Sequence, residues 1–265
     1  MNLKKIAAAL SMAGVALFSG AAFADPSITN LNGTKTPFGG FDWDSASAAW
    51  TSGFNPSSSP TFTLNYVGWA TSLKKTNGQS FILSGLDFVA DGAADAGYEY
   101  TVVAKFNEEI VGCSSSTICT FKVTGGTFDI YYDLAQNAKA DTSAWSGFND
   151  GTKIISGTFD AGSTTTFNNA TGGQADLSGV VTYTNTTYIN PALVTTSVSS
   201  TLQLVRTSFT APVTYNGNAV NPNGTEVVFQ ADANQTFTSN VPEPASLALV
   251  GLALGGVGFV ARRRK

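Results

Sequence analysis

The stretch Tyr98-Glu99-Tyr100-Thr101-Val102-Val103-Ala104-Lys105-Phe106-Asn107 decides the fold class. Tyr98, Tyr100, Val102, Ala104 and Phe106 alternate with Glu99, Thr101, Val103, Lys105 and Asn107. A period of two places the first set on one face of a β-strand and the second on the other. Downstream, Phe121 and Val123 alternate with Thr120, Lys122 and Thr124; Gly125-Gly126 then permits a tight turn, and Phe128, Ile130 and Tyr132 resume the alternation. The pattern predicts three consecutive antiparallel strands, a meander.

Outward from this centre, residues 62–69, 81–89, 153–159, 177–188, 193–209 and 226–237 share the same β-branched and aromatic bias, with Gly, Asn or Pro between them. No apolar pattern at helical spacing is sustained between Asp25 and Asn240. Many short strands without intervening helices predict an all-β fold, an antiparallel β-sandwich or jelly-roll-like domain. Residues 26–60 are rich in Gly, Ser and Thr but hold Phe38, Phe41, Trp43, Trp50 and Phe54, which predicts one or two strands docking on the sheet edge in preference to a ligand platform. Residues 141–150, with Trp145 and Phe148, read as a connecting loop or one helical turn.

Both chain ends read as addresses. Lys4 and Lys5 precede an apolar stretch over 6–18, and Ala22-Phe23-Ala24 supplies the small-x-small pattern of a signal-peptidase site, so residues 1–24 are expected to be a signal peptide. At the other end, a linker at 238–241 leads to Pro242-Glu243-Pro244, an uncharged apolar run over 245–261, and Arg262-Arg263-Arg264-Lys265. As a helix the run would satisfy its own backbone in lipid, and the four cations would hold its end cytoplasmic. At about 1.5 Å of rise per residue it spans roughly 26 Å, slightly short of a bilayer core of about 30 Å. Snorkelling arginines cover that deficit.

The order Pro-Glu-Pro, apolar helix, basic tail over 242–265 resembles the PEP-CTERM sorting signal of Gram-negative bacteria. The resemblance implies that an exosortase at the inner membrane recognises Pro242, Glu243 and Pro244, cuts near them, and passes the body of the protein to the cell surface or extracellular matrix. The two prolines suit that role, because they fix φ and bias the residues before them toward an extended, unpaired strand.

The body, residues 25–237, is long enough to bury a substantial core. Removing Lys4, Lys5 and the four tail cations from 14 Lys and Arg leaves 8, and removing Glu243 from 18 Asp and Glu leaves 17, so the body carries 8 − 17 = −9. That balance disfavours nucleic acid as a partner. In an exported chain Cys113 and Cys119 are expected to be bonded, closing a seven-residue loop for about 2 kcal/mol.

The sequence contains no His, so Ser-His-Asp and Cys-His hydrolases lack a base and familiar zinc sites lack ligands. No cofactor or metal is expected. Carboxylate pairs for a glycosidase would be Asp42 with Asp44, or Glu108 with Glu109; residues at i,i+2 on a strand share a face and those at i,i+1 do not, so solvated surface acids are the ordinary reading. Asp91 and Asp95 flank Gly92 in an acidic turn, without a calcium-loop pattern. Sugar binding is the stronger rival: Trp43, Trp50, Trp69 and the pair Tyr131-Tyr132 are the aromatic candidates for stacking on pyranose rings, with core packing the ordinary fate of each single one.

Gly126-Thr127-Phe128-Asp129-Ile130-Tyr131-Tyr132-Asp133, then Asn149-Asp150-Gly151 and Ile155-Ser156-Gly157-Thr158-Phe159, resemble the flocculation-associated PEP-CTERM group over residues 60–160. That resemblance implies a secreted protein that helps cells aggregate with exopolysaccharide into flocs or biofilm, and offers no catalytic residues; with the absence of His, the chain is expected not to be an enzyme.

Overall fold

The computed structural model describes residues 25–238 apart from 56–59, 116–117, 169–170, 194–196, 206–208, 223 and 225. The expected signal peptide with Ala22 and Ala24, the apolar span 245–261, Pro242, Glu243 and Pro244, and the tail Arg262 to Lys265 lie outside the described residues.

Eight staves follow one another in chain order. β1 has two pieces, Gly40–Trp43 and Ser47–Ser52; β2 is Thr61–Lys74, β3 Glu99–Ser115 and β4 Ile118–Asp133. β5 again has two pieces, Thr152–Phe159 and Thr164–Asn168, followed by β6 (Gly173–Thr184), β7 (Ser197–Val205) and β8 (Val228–Thr238). Each stave pairs antiparallel with the next. Both pieces of β1 pair on one side with β2 and on the other with β8, so the last stave returns to the first. The all-β, antiparallel class expected from the alternation holds, and the two layers that pack face to face are opposite walls of a single sheet closed into a barrel.

Two local expectations are corrected. Gly125-Gly126 makes no turn: β4 runs unbroken through it, and the ladder to β3 shifts register there, with Asn107 opposite Gly125 and Glu108 opposite Val123. Gly125 has φ +146°, and a Cβ on Gly126 would lie 2.5 Å from the Lys105 carbonyl oxygen, so the pair serves a bulge and a close strand approach. The meander is therefore one long hairpin. The strand expected over 81–89 is reduced to a two-residue pairing, Ser80–Phe81, because Gly85 at φ +81° and a turn in which Asp87 Oδ1 accepts the Val89 N–H (2.9 Å) bend the chain away.

The segment expected at a sheet edge instead fills the seam between β2 and β8. One face of Ser47–Ser52 meets the lumen through Ala49 and the other packs in an outer cluster through Ala48 and Trp50, so five of its six residues are buried. Inside the barrel, the alternation of β3 places Tyr100, Val102, Ala104 and Phe106 in the core. Across the lumen from them stand Leu177, Val181, Val198, Leu202 and Phe237. A second cluster lies on the outer face of β1 and β2, where Trp50, Val67 and Trp69 are covered by Ala138, Trp145 and Phe148 from the connection after β4. Residues 141–150 are thus a loop that acts as a lid on this outer cluster, with a two-residue strand at Ala144–Trp145.

Candidate functional site

The sequence candidates scatter. Trp43, Trp50 and Trp69 are buried, so no face of their rings is presented to a sugar at the surface. Trp43 stacks on Phe41 in the lumen at 4.8 Å; Trp50 and Trp69 pack in the outer cluster, and the Trp69 indole N–H donates to the Phe88 carbonyl oxygen at 3.1 Å. The physical reason is that Trp43 faces the lumen, while Ala138, Trp145 and Phe148 of the connection after β4 cover the outer face that carries Trp50 and Trp69. Of Tyr131 and Tyr132, alternation sends Tyr132 into the core and Tyr131 outward, with the Lys153 ammonium 5.8 Å from its ring centre.

Cys113 and Cys119 stand opposite each other on β3 and β4, 3.9 Å apart at Cα, and are bonded, as expected. Asp42 and Asp44 are parts of two different arrangements. Asp42 accepts the Ser72 hydroxyl (3.0 Å) and lies 3.9 Å from the Lys74 ammonium, whereas Asp44 accepts the Ala46 N–H at 2.6 Å and shapes the break between the two pieces of β1. Asp91 likewise accepts the Ala93 N–H in its turn.

Glu108 and Glu109 point to opposite faces, as spacing requires. Glu109 is at the surface, 3.3 Å from the Lys122 ammonium. Glu108 departs from the solvated-acid reading: it is only 6% exposed, on the lumen side next to Phe62 of β2, and burial pushes its carboxyl up to about 7. A second buried acid, Glu99, lies under the outer lid, where burial also raises it to about 7 while the Ala138 N–H (3.0 Å) pulls the other way.

Two surfaces on the barrel have the regularity of a site. The first is the outer wall of β6, β7 and β8. Their registers align Gln174, Gln203 and Asp232 in one row, Asp176, Thr201 and Asn234 in the next, and Ser178, Ser199 and Thr236 in a third. The middle row continues across the seam through Asp42 to Ser72. Within it the Thr201 hydroxyl donates to Asp176 at 3.2 Å and the Lys74 ammonium donates to the Asn234 side-chain oxygen. Neighbours within a row lie about 4.8 Å apart on adjacent strands and successive rows about 6.8 Å apart along the strands, which makes a grid of hydroxyls, amides and carboxylates.

The second surface is inside. One end of the barrel is plugged: a small sheet of Ser27–Thr29, Lys35–Pro37 and Ile189–Asn190 lies there, and Phe38, Tyr98, Tyr100, Tyr132 and Tyr188 fill the lumen with ring centres 4.8 to 5.5 Å apart among the tyrosines. The middle is packed around a void of about 20 Å³. The other end opens into a cup of about 380 Å³ to which every stave contributes, lined by Phe62, Phe121, Phe167, Leu204 and Phe229 and holding Glu108.

This is a closed antiparallel barrel with a polar wall and a cup at one end. Residues 240–265 match the family model of the PEP-CTERM protein-sorting motif, so the chain carries a PEP-CTERM sorting domain and is an exported protein sorted by an exosortase, with transient anchoring in the membrane before cleavage. No curated protein and no solved structure matches the chain.

Proposed function

We propose that the body, residues 25–237, is a non-enzymatic component of the cell surface or extracellular matrix that supports exopolysaccharide-associated aggregation. In this reading residues 1–24 are removed on export, Pro242, Glu243 and Pro244 are read by the exosortase, and Arg262 to Lys265 hold the span 245–261 until cleavage. The observation that carries it is the outer wall: three registered rows of hydroxyl, amide and carboxylate side chains on a protein that leaves the cell. Polysaccharide hydroxyls are donors and acceptors at close spacing, and a rigid grid of matching groups binds them through many weak contacts at once.

The test is deletion with complementation. Loss of the gene is expected to reduce aggregation and the matrix polysaccharide retained by cells, and complementation with an Asp176→Ala, Thr201→Ala, Asn234→Ala variant is expected not to restore it. Unaltered aggregation and matrix in the deletion strain would overturn the reading. A narrower reading, a discrete sugar-stacking site, is favoured by Tyr183, which is 45% exposed on β6 and in register with Ser156 next to the Tyr131–Lys153 pair. Tyr131→Ala with Tyr183→Ala then removes polysaccharide binding while the wall variant retains it.

A further inference from the structure

The alternation that opens β3 continues for one more step. After Tyr100, Val102, Ala104 and Phe106, the next inward position is Glu108, and here the inward side chain is an acid. Among the described residues, no hydrogen bond or ion pair reaches its carboxylate and no other ionisable side chain lines the cup. The nearby polar groups are engaged elsewhere: the Thr51 hydroxyl donates to Glu226 (3.0 Å) and accepts the Val227 N–H (2.9 Å), and the Thr165 hydroxyl donates to the Gln174 carbonyl oxygen. An unpartnered acid in an apolar recess destabilises the fold relative to the leucine or phenylalanine that fits the same alternation. Among the described residues none supplies a partner, and a ligand seated in the cup can do so.

We propose that the cup binds one lipophilic small molecule with a hydroxyl or amino head, its apolar body against the phenylalanines and its head donating to Glu108. Size, shape and chemistry agree. A volume of about 380 Å³ falls at the lower end of the roughly 300–1,000 Å³ of small-molecule sites, and an eight-stranded barrel is wide enough for packed side chains or one small ligand. The disulfide between Cys113 and Cys119 borders the cup and fixes the rim of β3 against β4, so the recess is formed before a ligand arrives. A carboxylate head is excluded, because it would set a second negative charge beside Glu108 in the same apolar space.

The test uses the exported form of the protein recovered without detergent, with N-phenyl-1-naphthylamine as the fluorescent probe and decylamine, 1-decanol and decanoate as competitors at about pH 8, where Glu108 is ionised. Saturable probe binding is expected, with decylamine and decanol displacing the probe at roughly tenfold lower concentration than decanoate, the order of one charge-assisted hydrogen bond. Glu108→Gln keeps probe binding and levels the three competitors. Leu204→Trp fills the cup and abolishes binding; if that variant fails to fold, Ala175→Phe repeats the block from β6. Absence of saturable binding, binding that neither filling variant weakens, or decanoate competing as well as decylamine would overturn the proposal. None of these results bears on whether the outer wall meets polysaccharide.

Discussion

The two ends of the barrel solve the same problem in opposite ways. At the plugged end the lumen is filled by rings from every side, and chain before β1 and after β6 pairs into a small sheet beside them. At the open end the chain is held by a cross-strand disulfide, and the lumen is left as a cup with one acid in it. Close packing provides stability at the first end, and a covalent link permits a recess at the second. A barrel can therefore be stable at one end and available at the other.

The largest expected effect separates the ends directly. Phe41, fully buried at the plugged end, should cost about 3–5 kcal/mol when cut to alanine, whereas Phe167, half-buried in the cup wall, should cost about 1–2 kcal/mol, because its neighbours already border open space. Denaturant unfolding of the two variants measures both, and equal losses would break the contrast.

The next effect depends on pH. Burial raises Glu108 and Glu99 to about 7, against about 4.3 in an unfolded chain. Between those values the unfolded chain has released protons that the folded chain keeps, so the contribution of these two acids to stability is greatest below about pH 4 and falls as pH rises to about 7, by up to roughly 4 kcal/mol for each group. Glu108→Gln is expected to remove about half of that slope and Glu99→Gln the rest. A flat profile in the parent protein would mean that neither acid is as buried as described.

Loss of the disulfide should come third. Cys113→Ser with Cys119→Ser is expected to lower stability by about 2 kcal/mol and to speed amide exchange at the open ends of β3 and β4, leaving the plugged end protected. The smallest change is a gain. The hydroxyls of Tyr98 and Tyr100 are buried without a hydrogen-bond partner among the described residues, so Tyr98→Phe or Tyr100→Phe should leave stability unchanged or raise it by up to about 1 kcal/mol. A loss in either would show that a water or a side chain does serve that hydroxyl.

How much of this was legible in the sequence follows from which signals are local. The alternation in 98–107 identified β3 and its inward face, because period two is a property of neighbouring residues. The sorting tail was legible for the same reason, as three contiguous parts in a fixed order. Closure was not, since it depends on two short pieces of β1 finding partners about 190 residues away on β8 and nothing in 40–52 marks them as interior rather than edge. Gly125-Gly126 has the composition of a turn and of a bulge alike, and only the partner strand decides between them. The inward direction of Glu108 has a signal two residues after Phe106, in the period of two, but a charged residue reads as a solvated surface acid and masks that period. The three tryptophans show the converse ambiguity: an aromatic side chain fits both a core and a sugar site, and core packing, the ordinary fate of each, is where all three lie.

The cup exists only if the sheet closes, since it is lined from all eight staves, and closure also carries the middle row of the wall from β8 to β1. Closure is tested most directly at Asp42 and Asn234, which face each other across that seam at a separation where directly opposed strand residues accept a disulfide. The Asp42→Cys, Asn234→Cys protein is predicted to oxidise within a single chain, giving a linked peptide pair from 40–52 and 228–238 with the melting temperature kept or raised. Free thiols after oxidation, or links formed only between chains, would contradict it.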